Sequence, residues 1–302
     1  MMPIGQRFSD ADTTYTSIGQ VAGLVGMVMF ALSLILSGRF SFLEKYFGGL
    51  NNMYKVHHEF GGYSLILLVL HPLSLAIAYG YTSLLGAILF ILPSSNDWAR
   101  NMGSISFILL FILLFITFYT KLPYQIWKWT HKFLGLTFFL GGLHALFIGS
   151  DIAKNPFLKY YLIILCSVAI IVYFYRTVLF KFTVKRHKFT VENITNTNGI
   201  FQISLRPKKE KLQFEAGQFI FISFEQRGFP SESHPFSIVS AQNEDVLRLG
   251  IKSLGDFTER LSDLKIGTIA LIEGPFGVFS YKKAENKKTD LDCGRYRYNT
   301  IY

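Results

Sequence analysis

The chain has 302 residues, half of them hydrophobic and 17% charged, with a mean hydropathy of +0.33; these values exclude an ordinary soluble domain of this size. A net charge of +10 would suit nucleic acid, but Lys and Arg gather at the ends of apolar runs, so they read as topology signals and nucleic acid is excluded as a partner. Two cysteines, Cys166 in an apolar run and Cys293 near the C-terminus, exclude a disulfide framework and a CxxC metal site.

The N-terminal stretch "MMPIGQRFSDADTTYTS" lacks the basic-then-apolar form of a signal peptide, and residues 1–16 are taken as a leader. A transmembrane domain is expected over 17–182. Five apolar segments, near Ile18–Leu36, His57–Tyr79, Ile105–Tyr119, Trp129–Ile148 and Phe157–Phe180, approach the length of roughly 20 helical residues that a bilayer requires. The third is short, and Met102 and Leu122 extend it. "SLLGAILFIL" (Ser83–Leu92) is too short to span and is expected to lie at the interface or re-enter. Membrane lipid is therefore the first partner.

Arg39, Lys45, Lys55, Lys121, Lys128 and Lys132 fall on one side of these spans, and Lys181, Lys185, Arg186 and Lys188 follow the last. Arg7, Arg100 and Lys154 fall on the other, with Lys159 at a helix edge. The excess of positive charge places the first two sets in the cytoplasm, so the spans start outside and end inside. An outside start without a signal sequence leads to the expectation of a further helix ahead of this chain.

From Thr183 the pattern changes to "HKFTVENIT", "GIFQISLRP", "GQFIFISFE", "HPFSIVSA" and "VLRLGIKSL". These are β-branched or aromatic runs separated by Gly, Asn, Pro or charged turns, which suggests a small antiparallel barrel over 183–283. Residues 284–302 are polar, tyrosine-rich and aperiodic.

Five of the seven histidines lie in two apolar helices, "KVHHEFGGYSLILLVLHP" and "WTHKFLGLTFFLGGLHAL". A single His at a helix end is ordinarily an interfacial residue. Here, however, His57 and His71 are 14 apart and His131 and His144 are 13 apart, and His71 and His144 lie deep in their runs, where ionisable groups mark function. Each pair is separated by roughly 20 Å along its helix. Two such helices can hold two haems, one above the other, each iron taking an imidazole from each helix. Fourteen residues at about 100° nearly complete four turns, so His57 and His71 share a face. Thirteen fall short, so the second helix needs a tightened turn, for which Gly141–Gly142 is the candidate. The same count favours His57 over His58, which is also 13 from His71, although only substitution separates the two. Gly61 and Gly135, each four residues after a candidate ligand, leave room either for a porphyrin plane or for helix packing.

Histidine pairs at this spacing resemble those of the ferric reductase and NADPH oxidase family of membrane cytochromes b, and the likeness extends over nearly the whole chain. "HPFSIVS" (His234–Ser240) looks like the FAD signature of ferredoxin-reductase-type barrels, in the form found in membrane oxidases. The resemblance implies that His234, followed by Pro235, approaches the FAD phosphates, that Phe236 packs beside the flavin, and that Ser237 hydrogen-bonds near its N5. "IKSLGDFT" (Ile251–Thr258), with Lys252, resembles the pyrophosphate segment: Gly255 lets the backbone approach, and a helix beginning near Thr258 offers N–H groups. "EGPFG" (Glu273–Gly277) resembles the turn that closes the barrel, and "FEAGQFIFI" (Phe214–Ile222) fits the strand ahead of the signature. A buried strand with one satisfied His would explain "HPFSIVS" alone; four segments in order make the stronger signal.

The fold class expected is thus an α-helical transmembrane haem bundle of about five spans, followed by an all-β FAD-binding barrel of ferredoxin-reductase type. The resemblance implies an NAD(P)H-dependent flavocytochrome b of the cell membrane, multi-pass, with its FAD domain cytoplasmic. Flavin takes a hydride pair from nicotinamide and releases electrons singly. His57 and His131 would hold the inner haem b, His71 and His144 the outer one, and oxygen or a ferric chelate outside would be the acceptor. One alternative is a non-catalytic cytochrome b subunit relaying electrons for a separate reductase, against which the flavin barrel argues. Another is a transporter with unrelated intramembrane histidines.

The family's barrel leads into a nucleotide-binding domain whose first strand meets a turn resembling "GGIGITP". Back-translating Thr289–Tyr302 and moving the frame by one base permits Q-I-W-I-A-G-G-I-G-I-T-P-F. The tail after about Lys287 is therefore expected to be a frameshifted reading of the NAD(P)H-binding domain. On that expectation NAD(P)H serves the intact family member only, and leaves the haems of this chain unreduced while a chemical reductant reduces them.

Overall fold

The computed structural model describes residues 4–120, 122–149, 151–179 and 184–277. Residues 284–302, Lys121 and Lys181, on which several expectations depend, lie outside them. Residues 4–38 with 54–179 form one compact unit, and 39–53 with 184–277 form another.

The first unit is helical. After a 3₁₀ turn at Ile4–Gln6, helix α1 (Ala11–Leu36) begins at Asp10, whose carboxylate accepts the Thr13 N–H at 2.8 Å while the Thr13 hydroxyl accepts the Asp10 N–H. A short helix, α2 (Ser41–Tyr46), which belongs to the second unit, precedes α3 (Leu50–Ala78), which enters the first unit at Tyr54 and runs through Pro72. Helix α4 (Leu84–Ile91) starts at Ser83, and α5 (Trp98–Tyr119) starts at Asp97, whose side chain accepts from the N–H groups of Ala99 and Arg100. Helices α6 (Tyr124–Lys132), α7 (Leu134–Phe147) and α8 (Asp151–Lys154) follow. Helix α9 (Pro156–Thr177) opens on Asn155 as cap and Pro156 in its first turn, the positions these residues favour.

Among the described residues, four helices are long and apolar enough to cross a membrane: α1, α3, α5 over Trp98–Thr117, and α9. They leave Val21, Ile66, Phe111, Ile164 and Ile171 exposed, which water would penalise and lipid tails accept. Where α1 meets α3, Gly19, Gly23 and Gly26 let the backbones approach: a Cβ built on Gly26 would meet Leu68 Cγ at 3.0 Å. The bundle core joins Phe30 of α1 to Phe138 of α7, edge to face at 5.2 Å, with Leu110, Cys166 and Ala169 around them. Helix α4 buries none of its residues, in keeping with the interfacial reading of Ser83–Leu92.

One expected span is corrected. The segment 129–148 is not a single helix; it divides between α6 and α7 at Phe133. The Phe133 N–H bonds the Thr130 carbonyl at 3.0 Å and the Leu136 N–H bonds the Phe133 carbonyl at 2.9 Å, three-residue spacings that wind the chain more tightly than an α-helix. The tightened turn is therefore at Phe133, not at Gly141–Gly142, through which α7 runs unbroken. Those glycines serve packing: a Cβ on Gly141 would stand 3.1 Å from Ser106 Oγ, and one on Gly142 would stand 3.5 Å from Met27 Cε.

The second unit is built on six antiparallel strands: β1 (His187–Thr197), β2 (Ile200–Pro207), β3 (Phe219–Glu225), β4 (His234–Ser237), β5 (Leu247–Lys252) and β6 (Ile269–Phe276), in the order β4-β3-β6-β1-β2-β5. A bridge between Ile238 and Leu249 ties the two edges together, so the sheet closes on itself. Strand β5 alternates buried and exposed residues without exception, the period-two pattern that makes one face a core. Ile203, Leu205, Ile220, Ile222, Leu249 and Ile272 fill that core. Helix α10 (Asp256–Glu259) and a 3₁₀ turn at Arg260–Asp263 lead into β6. The segment Glu273–Phe276, expected as a closing turn, belongs to β6, where a register irregularity opposite Phe219–Phe221 accommodates it, and Gly277 follows with φ 104°. In the same unit Glu44 accepts the Gly277 N–H at 2.6 Å, and the Arg39 guanidinium lies 3.9 Å over the Phe221 ring.

Candidate functional site

In the helical unit, the four histidines form two facing pairs. The rings of His57 and His131 have centroids 6.3 Å apart, and those of His71 and His144 are 6.0 Å apart. Metal–nitrogen bonds of about 2.0–2.1 Å, usual for histidine, put the centroids of two imidazoles on opposite sides of one metal about 6 Å apart. The spacing of both pairs fits one shared metal atom each. No group of three or more His, Cys, Asp or Glu gathers among the described residues.

The ring nitrogens support the same assignment. His71 Nδ1 lies 2.7 Å from the Gly19 carbonyl, His144 Nδ1 lies 2.9 Å from the Ala99 carbonyl, and His57 Nδ1 lies 2.8 Å from the Ser33 carbonyl. A carbonyl oxygen only accepts, so each Nδ1 carries the proton and each Nε2 is left with its lone pair for a metal. Carbonyl partners of this kind commonly orient metal-bound imidazoles. His131 differs: its Nδ1 is buried without a hydrogen-bond partner among the described residues, and the ring stacks on Trp127 at 5.2 Å.

His57 rather than His58 faces His131. His58 is exposed, whereas His57 is tied to α1 by the Ser33 hydroxyl, 2.9 Å from Nδ1, as well as by the Ser33 carbonyl. Of the two glycines singled out in the sequence, Gly61 would admit a Cβ in ordinary contact with Ser33 Oγ, at 3.7 Å. Gly135 is filled by Tyr173, whose ring would stand 2.2 Å from one, so it admits α9 to α7. Sequence reasoning missed Ser33, Gly23 and Gly103. The three glycines spaced along α1 were a legible signal, but backbone carbonyl partners leave none.

In the β unit, the two flavin-motif segments come together around Phe257. The His234 ring stacks on Phe257 at 3.9 Å, and Phe236 stacks on it at 6.2 Å. His234 also lies 3.3 Å from the Glu232 carboxylate. Along β4, His234 and Phe236 are half-buried while Pro235 and Ser237 are exposed, so Pro235 and Ser237 present the free face. Lys252 is exposed at the end of β5. The expected helix start is corrected: α10 begins at Asp256 with Gly255 as its cap, and Thr258 lies inside it. The Thr258 hydroxyl accepts from the N–H groups of Leu254 and Gly255 at 2.9 and 3.0 Å, because a threonine three residues into a helix can fold back on its cap. No side chain stands within 4 Å of a Cβ built on Gly255, so the backbone there is open to approach. Phe257, which joins the two motifs, was not among the expected site residues, because a lone phenylalanine in such a segment reads as core.

Two family models match the chain: a ferric reductase like transmembrane component over residues 22–142, and an FAD-binding domain over residues 181–280. Among curated proteins, it is 33% identical over 104 residues to a superoxide-generating NADPH oxidase heavy chain of Dictyostelium discoideum, covering 27% of this chain and 20% of that one. It is 40% identical over 63 residues to respiratory burst oxidase homolog protein B of Arabidopsis thaliana, covering 20% of this chain and 7% of that one. The matched segments therefore span a fifth or less of these relatives' lengths. A solved ferredoxin reductase in carbazole 1,9a-dioxygenase is 26% identical over 31% of this chain and 29% of its own, with a TM-score of 0.28, too low to add to the fold assignment.

Proposed function

We propose, from the premise that this chain is a multi-pass membrane protein matching the ferric reductase and NADPH oxidase family of oxidoreductases, that it carries electrons across a membrane from FAD through two haems b. The observation that carries the reading is the pair of facing imidazole sets with three Nδ1 atoms on carbonyls, leaving Nε2 free at a spacing suited to one iron each. When bound, the haem irons would accept and release electrons one at a time, and FAD would receive them in pairs.

The chain's own residues have distinct tasks. His57 and His131 would hold the inner iron, and His71 and His144 the outer one. Ser33, Gly19 and Ala99 orient three of these rings. The apolar helices exclude water from around them. In the barrel, His234, Pro235, Phe236 and Ser237 with Lys252, Gly255 and Thr258 would seat FAD, Pro235 and Ser237 on the free face of β4 and Gly255 at the open backbone. We place the barrel on the cytoplasmic side of the cell membrane because basic residues crowd the helix ends nearest it in sequence. NAD(P)H is inferred as the donor of the intact family member, one relative being named an NADPH oxidase, and the acceptor is inferred to be oxygen or a ferric chelate; a separate reductase is a partner to test.

Purified chain in detergent should show a reduced-minus-oxidised spectrum of bis-histidine haem b and release FAD on denaturation. A preparation made with haem and flavin supplied, yet without a Soret band, would sink the reading. His57→Ala should lose the inner haem while His58→Ala keeps it; the reverse outcome would reassign the ligand. Ser237→Ala should weaken flavin affinity by about two- to twelve-fold, the equivalent of about 0.5–1.5 kcal/mol for one hydrogen bond. Unchanged flavin affinity by equilibrium titration would remove Ser237 from the site.

A further inference from the structure

We infer that the His71/His144 pair is positioned by one backbone device used twice, in which a helix carbonyl at position i accepts the imidazole Nδ1–H and a glycine at i+4 makes room for the ring. On α1 the carbonyl is that of Gly19 and the glycine is Gly23; on α5 the carbonyl is that of Ala99 and the glycine is Gly103. A Cβ built on Gly23 would stand 2.7 Å from His71 Nδ1, and one built on Gly103 would stand 2.6 Å from His144 Nδ1. Real Cβ atoms do not approach a ring nitrogen so closely, and a stacked or packed imidazole cannot yield as a flexible chain end does.

Helix geometry explains the spacing. The N–H of residue i+4 donates to the carbonyl of residue i, so the side chain at i+4 stands beside any second donor reaching that oxygen. The oxygen has two lone pairs and can accept both bonds. With a side chain at i+4 the ring would be pushed from the carbonyl, its Nδ1–H would lose its partner in an apolar interior, and the free tautomer would no longer be fixed. The His57/His131 pair lacks the device. His57 uses the Ser33 carbonyl with the Ser33 hydroxyl beside it, and His131 Nδ1 has no hydrogen-bond partner among the described residues. Gly23 and Gly103 are thus positioning residues for one pair only.

This inference rests on the haem reading above. A hydrogen bond from Nδ1 to a carbonyl raises the basicity of the ligating imidazole and favours oxidised iron, and loss of such a partner typically weakens metal affinity about 10–100-fold. The test uses the full chain in detergent, with haem quantified and each component followed by spectroelectrochemical titration. In Gly23→Ala and in Gly103→Ala, one haem component should move to higher potential or be lost, and the other should stay at its wild-type value. Gly62→Ala, where a built Cβ meets nothing within 4 Å, should match wild type. Should Gly103→Ala reduce the yield of folded protein, the same substitution in a His144→Ala background separates the causes. If the ring is what the Cβ strikes, Gly103→Ala causes no further loss there; an equal loss in both backgrounds overturns the inference. So does wild-type potential and content of both components in the single variants, or an equal change in the two. A wild-type chain without haem would overturn the parent reading instead.

Discussion

Replacing His71 or His144 by alanine should remove the outer haem and spare the inner one. The two rings face each other at 6.0 Å, each with Nδ1 on a carbonyl, so deleting either would leave the proposed outer haem one of its two protein ligands. The His57/His131 pair lies roughly 20 Å away along α3 and shares no ligand with it. Haem content by pyridine haemochrome and the low-temperature split of the α band would be measured on each variant. A full haem complement with unaltered spectra in His71→Ala would end the assignment. Loss of both haems with normal folding by near-UV dichroism would mean the two sites are not independent. On the proposed assignment, electron passage across the membrane should fall to background in either variant, because one haem of the two would be missing from the path.

The second large effect belongs to the barrel core. Phe224 is 2% exposed on β3 and meets Phe229 edge to face at 5.7 Å, and Phe229 in turn meets Phe257 at 5.7 Å. Phe257 is the ring on which His234 and Phe236 stack, so the core aromatic chain ends at the flavin motif. Phe224→Ala should cost about 3–5 kcal/mol, from lost transfer energy and the cavity left behind. That is a large part of the roughly 5–15 kcal/mol that holds a domain. FAD should be lost on purification and the barrel should become protease-sensitive, while the haem spectrum persists. Wild-type flavin content and protease resistance would show that this aromatic chain does not support the site. Ile238→Val, a smaller change in the same core, should keep most of the flavin.

The histidines and the flavin motif were legible because each depends on a residue type at a fixed spacing. Apolar runs announced four long helices, since length and hydropathy alone decide whether a helix suits a bilayer. β-Branched and aromatic runs between turn residues located five of the described strands; Glu273–Phe276, the second half of β6, is read as a turn because Gly274, Pro275 and Gly277 look like turn residues wherever they stand. Counting at about 100° per residue showed that the second histidine helix needed tightening. It did not show where, and the glycines that drew attention serve packing, while the tightened turn falls at Phe133, which carries no turn signature.

Residue types and their spacing identify the groups able to do chemistry: five imidazoles in two apolar runs, four of them in pairs 14 and 13 apart, and a His-Pro-Phe-Ser strand ahead of a glycine-bearing turn. How those groups are held is a matter of packing. Which ring nitrogen keeps its proton in three of the four rings depends on the carbonyls of Gly19, Ser33 and Ala99. Those carbonyls are backbone atoms that every residue possesses, so no residue type announces them. Those of Gly19 and Ala99 are met by rings 52 and 45 positions away, beside glycines at 23 and 103, and that of Ser33 by a ring 24 positions away, contacts that only the folded chain creates.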